Sequence, residues 1–118
     1  MYDIGIYGLN TSLMMLPRDE VVSVSALDST PAGDARFKEV EGGLEWRLRM
    51  KSGITVAGSS SYCWSPYVSR QRYFGAKGSI GMQPATTYYD NRIVLEGAGG
   101  GGEGVRPKCQ NNAFFSMR

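Results

Sequence analysis

The chain has 118 residues, 42% hydrophobic and 20% charged, the composition of one folded domain able to bury a core. Its 13 basic and 11 acidic side chains leave a net charge of +2, too small to point to a nucleic-acid or membrane partner. There is no histidine, which removes the usual general base and any Ser-His-Asp triad. Acid–base chemistry falls to Tyr, Lys, Asp or Glu. The two cysteines, Cys63 and Cys109, lack zinc-ligand spacing, so no metal is expected. Two free thiols in a reducing compartment are expected in preference to a disulfide. Neither a run of about 20 apolar residues nor a signal peptide is visible, and a cytoplasmic location is expected.

Residues 3–16 set Ile4, Ile6, Tyr7, Leu9, Leu13, Met14 and Leu16 largely at three- and four-residue spacing, which predicts a helix ended by Pro17. Gly5 and Gly8 weaken it by about 1 kcal/mol each, and such glycines often let a helix approach a neighbour closely. Residues 21–27 alternate as a strand, and residues 28–38 carry turn chemistry and read as a mobile loop. Residues 44–50 give the clearest half-buried strand, with Leu44, Trp46, Leu48 and Met50 on one face and Glu45, Arg47 and Arg49 on the other. Lys51, Ser52 and Gly53 make a hairpin turn. Residues 54–62 return as a strand of small side chains (Ala57, Gly58, Ser59, Ser60, Ser61), which either pack closely under a helix or floor a pocket.

Residues 67–75 read as a third strand of the same meander. Arg70, Arg72 and Tyr73 within it mix basic and aromatic character, and a solvated strand face explains them better than a single-stranded nucleic-acid site. A glycine turn around Ala76 and Lys77 leads into a strand at 79–83, broken at Pro84. Tyr88 and Tyr89 follow, and residues 92–95 close the strand set. Residues 97–104 hold six glycines and read as a flexible connector. Residues 111–118 read as the start of a helix with Phe114 and Phe115 inward. The chain begins inside one helix and stops inside another, the pattern of a cut piece. The expected class is α+β: an open, mostly antiparallel sheet of about six strands with an N-terminal helix packed on one face. Residues 1–95 form the domain, 96–110 the connector and 111–118 a truncated helix.

Three stretches together resemble the C-terminal domain of the Gfo/Idh/MocA family of NAD(P)-dependent oxidoreductases, in its glucose–fructose oxidoreductase-like branch. They are Asp3-Ile4-Gly5-Ile6-Tyr7-Gly8-Leu9-Asn10, then the segment from Glu45 through Gly53 on to Tyr62, then Phe74 through Arg92. The resemblance implies a substrate-binding half whose sheet also carries the subunit interface, giving a homo-oligomer. It implies a sugar substrate and an N-terminal Rossmann domain binding NAD(P). This chain shows no strand followed by Gly-x-Gly-x-x-Gly and no Glu-Lys-Pro segment with the family's lysine. It therefore reads as a fragment that binds no cofactor by itself and is inactive alone. The alternative is a non-enzymatic module for oligomerisation or binding through the sheet.

Asp3 and Tyr7 are four apart and share a helix face. The resemblance implies that Asp3 borders the sugar and that Tyr7 shuttles the hydroxyl proton while hydride goes to the nicotinamide. Read without the family, Tyr7 is a core aromatic and Asp3 a first-turn helix acid. Asn10, one turn on, binds a sugar hydroxyl or lines the helix. Tyr88 and Tyr89 are candidates to bind substrate, or else they anchor a surface loop. Arg92 is expected to pair with Glu45 or Asp90 rather than with a phosphate.

Overall fold

A computed structural model describes residues 2–87, 90–97 and 102–105, with side chains for all of these except Tyr2 and 102–105. The element order is α1 (Tyr2–Met15), β1 (Val21–Asp28), β2 (Gly43–Met50), β3 (Thr55–Ser61), β4 (Gln71–Gly75), β5 (Gly78–Met82), β6 (Ile93–Gly97) and β7 (Gly102–Val105). All pairings are antiparallel, so the α+β class with an N-terminal helix holds. The single sheet of about six strands does not. Among the described residues seven strands form two sheets, in the orders β1-β2-β3 and β4-β5-β6-β7, and the chain divides into two compact units, Met1–Ser65 and Pro66–Arg118.

In the first unit, β2 is central and its alternation decides the core. Trp46, Leu48 and Met50 are buried, while Glu45, Arg47 and Arg49 are exposed. Leu9 of α1 and Leu16 just after it pack against them, with Leu44 and Val56. Each fully buried large side chain contributes about 1.5–3 kcal/mol relative to exposure. The β2–β3 register sets Trp46 opposite Gly58 and Leu48 opposite Val56, so Val56, Gly58 and Ser60 share the face that α1 covers. The small residues here serve close packing. The Trp46 ring occupies the space a side chain at Gly58 would need, and a Cβ at Gly5 would lie 3.1 Å from the Ser60 hydroxyl. β1 lies outside this cover, and all eight of its residues are exposed.

The loop after β1 is pinned at its base. Thr30 Oγ1 accepts from the amides of Gly42 (2.7 Å) and Gly43 (3.3 Å) and donates to Asp28 (2.5 Å). Asp34 and Arg36 form an ion pair at 2.6 Å, and the bonds from Arg36 hold the Asp34 carboxyl down at a pKa of about 2. The β2–β3 hairpin turns through Gly53 at φ 92°, as its position in the sequence predicts. Asp19 accepts from the Ser52 hydroxyl and amide, which lowers the carboxyl's pKa and ties the β2–β3 turn to the segment before β1.

The second unit departs from the sequence reading at two places. The strand expected over 67–75 starts only at Gln71, because Ser69 is engaged elsewhere: its carbonyl accepts from Ala85 and its hydroxyl bonds Thr86. This strand pairs with β5 and is not the third strand of the first meander. The glycine run expected as a connector instead contributes β7, paired with β6, because ladder bonds use backbone groups and need no side chain. Arg72 is ion-paired with Glu96 at 2.9 Å and lies over the Phe74 ring. Arg92 makes no ion pair with Asp90 among the described residues, and Glu45 belongs to the other unit; the Arg92 backbone bonds Pro84 and Gln83. The helix expected at 111–118 and Cys109 lie outside the described residues. Cys63 is a free thiol against the Gly42 carbonyl, and among the described residues no helix is long and apolar enough to cross a membrane.

Candidate functional site

The site is built on α1. Its sheet-facing side carries Gly5, Gly8, Leu9 and Ser12, each buried or half-buried. A Cβ at Gly8 would sit 3.6 Å from Trp46 Cζ2, so the helix rides close to the sheet at both glycines. Asp3, Tyr7 and Asn10 lie roughly 140° to 200° around the helix from Gly5. They form one exposed face. Tyr7 is 49% exposed, which removes the core-aromatic reading.

One partner of this face is invisible in local spacing. The Tyr62 hydroxyl donates to Asp3 Oδ2 at 3.1 Å. Tyr62 follows β3 and continues its alternation after Gly58 and Ser60, and its amide donates to the Gly42 carbonyl at 2.8 Å. Partial burial first, and then Asp3, raise the pKa of the Tyr62 phenol above its ordinary value. The phenol therefore stays protonated and donating at neutral pH. The signal that finds Tyr62 is the continued two-residue alternation, combined with a helix bearing small residues at i and i+3.

Tyr88 and Tyr89 lie outside the described residues. The loop that carries them joins β5 to β6. It is closed by Gln83 N to Arg92 O (3.0 Å) and, nearer the tyrosines, by Asn91 Nδ2 to Thr87 O (3.0 Å) and Thr87 Oγ1 to Asn91 Oδ1 (2.8 Å).

The site offers a carboxylate acceptor, two phenols and a carboxamide on an open surface. That donor and acceptor set suits a neutral polyhydroxylated ligand. Among the described residues no strand runs through a glycine turn into a helix, and Gly97 and Gly102 are ends of paired strands instead of a phosphate cradle.

The sequence matches no family model. Among solved structures, the chain is similar to the aldose–aldose oxidoreductase from Caulobacter crescentus in complex with glycerol, at 35% sequence identity and a TM-score of 0.79. The match covers 93% of this chain and 32% of that one, so the chain spans about a third of the enzyme's length. Along nearly its whole length, then, the chain is similar to one part of an oxidoreductase.

Proposed function

We propose that the chain is the substrate-binding part of a sugar oxidoreductase of the Gfo/Idh/MocA type, in the glucose–fructose oxidoreductase-like branch. In this reading it works with a dinucleotide-binding Rossmann domain that supplies NAD(P) and is inactive alone. The supporting observation is the exposed face of α1, with Asp3, Tyr7 and Asn10 in line, on a fold similar to an aldose–aldose oxidoreductase complexed with the polyol glycerol. Asp3 accepts a sugar hydroxyl, Asn10 bonds a second, and Tyr7 takes or returns the hydroxyl proton. Tyr88 and Tyr89 are proposed to bind sugar as well. A lysine from the second domain is proposed to assist Tyr7 in moving that proton.

The test joins this chain to a Rossmann half and measures NAD(P)-linked aldose oxidation. Tyr7→Phe should lower kcat about 10²- to 10⁴-fold. Full activity in that variant would remove Tyr7 from the chemistry, and no activity in the joined wild type would sink the reading as a whole.

A second role, association of copies through the sheet, is favoured by β1. Val21, Val22, Val24 and Leu27 are exposed on a strand whose outer edge is unpaired among the described residues. A monomer independent of concentration in sedimentation velocity would dismiss it.

A further inference from the structure

Resting on the sugar-binding reading above, we infer that Tyr62 is a positioning residue: its phenol fixes the Asp3 carboxylate for hydroxyl recognition. Asp3 sits in the first helical turn and is exposed. An aspartate there, unheld, samples several rotamers, and a sugar hydroxyl would have to select one at an entropic cost. The Tyr62 hydroxyl donates to Oδ2 at 3.1 Å and is, among the described residues, the hydrogen-bond donor that Asp3 has. It occupies one acceptor position of Oδ2 and leaves Oδ1 for a ligand donor.

The geometry behind this bond is built from three places in the sequence. Gly42 holds Tyr62 from below through the 2.8 Å bond from the Tyr62 amide. Two residues beyond Ser60 on the same alternation, Tyr62 brings its phenol to Asp3 of α1. Gly5 lets the first turn of α1 come down onto Ser60, where a Cβ would already be only 3.1 Å from the hydroxyl. That approach brings Asp3, two residues earlier, within reach of a side chain 59 positions away. Tyr62 remains 43% exposed, so water competes for the bond and the effect is moderate.

The test uses the joined protein and four forms: wild type, Tyr62→Phe, Asp3→Asn and the double variant. Phenylalanine keeps the ring and its packing and removes only the donor. The expected result for Tyr62→Phe is a KM for glucose raised about fivefold to tenfold, with kcat within twofold. In the Asp3→Asn background the same change should alter kcat/KM less than twofold, because the phenol acts through the carboxylate. A purely structural role would lower kcat/KM equally in both backgrounds. Equal effects, or a Tyr62→Phe variant indistinguishable from wild type, would overturn the inference while leaving the functional reading standing. An inactive joined wild type would instead overturn the functional reading and this inference with it. NMR of tyrosine-labelled 118-residue chain checks the contact independently of activity. Asp3→Asn should lower the ionisation pH of the Tyr62 phenol, and an unmoved titration refutes the bond in solution.

Discussion

The Trp46 indole gives two glycines opposite fates. Its Cζ2 atom is the nearest neighbour of an added Cβ at both Gly58, on β3, and Gly8, on α1. At Gly8 the distance is 3.6 Å, an ordinary contact, so Gly8→Ala should simply recover helix propensity, about 0.8–1 kcal/mol. At Gly58 the added carbon overlaps the ring, at 2.5 Å from Cε2 and 2.8 Å from Cη2. The ring has little room to rise, because a Cβ at Gly8 on the helix side would already meet it at 3.6 Å. Gly58→Ala should cost about 1–3 kcal/mol, the usual range for overpacking. Urea unfolding of the 118-residue chain, followed by far-ultraviolet circular dichroism and tryptophan fluorescence, measures both. With a slope of about 1–2 kcal/mol per molar, the Gly58→Ala midpoint should fall by about 1 M and the Gly8→Ala midpoint rise by about 0.5 M. An unchanged midpoint for Gly58→Ala, or equal losses in the two variants, would refute the packing of Trp46 between helix and strand.

Three further outcomes follow. Gly53 has φ 92° with open space around it, so Gly53→Ala should cost about 1 kcal/mol from backbone strain alone, read as a lower melting temperature. The Asp34 carboxyl, held at about 2 by Arg36 against an ordinary 3.8, contributes stability that is present above about pH 4 and lost as pH falls through about 2. A carboxyl NMR titration should show this, and Arg36→Gln should return the midpoint toward 3.8. Glu96→Gln breaks an ion pair exposed on both sides and should cost less than about 1 kcal/mol, with the difference shrinking in 1 M salt.

The sequence was most legible where one face is buried. Leu44, Trp46, Leu48 and Met50 declare β2 because period-two burial leaves a period-two pattern, and the i, i+4, i+7 spacing of Asp3, Tyr7 and Asn10 declares a shared face. The direction of that face was less legible, because Ile6, Leu13, Met14 and Met15 put exposed apolar residues around much of α1. The division into two sheets was not legible, since alternation reports which way side chains point and says nothing of which strand lies alongside. β7 was hidden for a related reason: glycines pair through their backbones and leave no side-chain pattern. Tyr62 was missed as a partner of Asp3 because hydrogen bonds between residues 59 apart have no local signature.

That same bond bears on the order of folding. Within the first unit, each strand pairs with its neighbour in sequence, so β1, β2 and β3 zip through local hairpins. Seating α1 is different, for the Asp3–Tyr62 bond closes a loop of 59 positions, at an entropic cost of roughly 3–4 kcal/mol by chain-closure scaling. Helix docking is therefore expected to follow the hairpins, and opening of the helix to precede loss of the sheet. Hydrogen exchange should show α1 amides exchanging through a partial opening while β2 amides wait for global unfolding. The face that carries Asp3, Tyr7 and Asn10 is thus the last surface the unit assembles and the first it gives up.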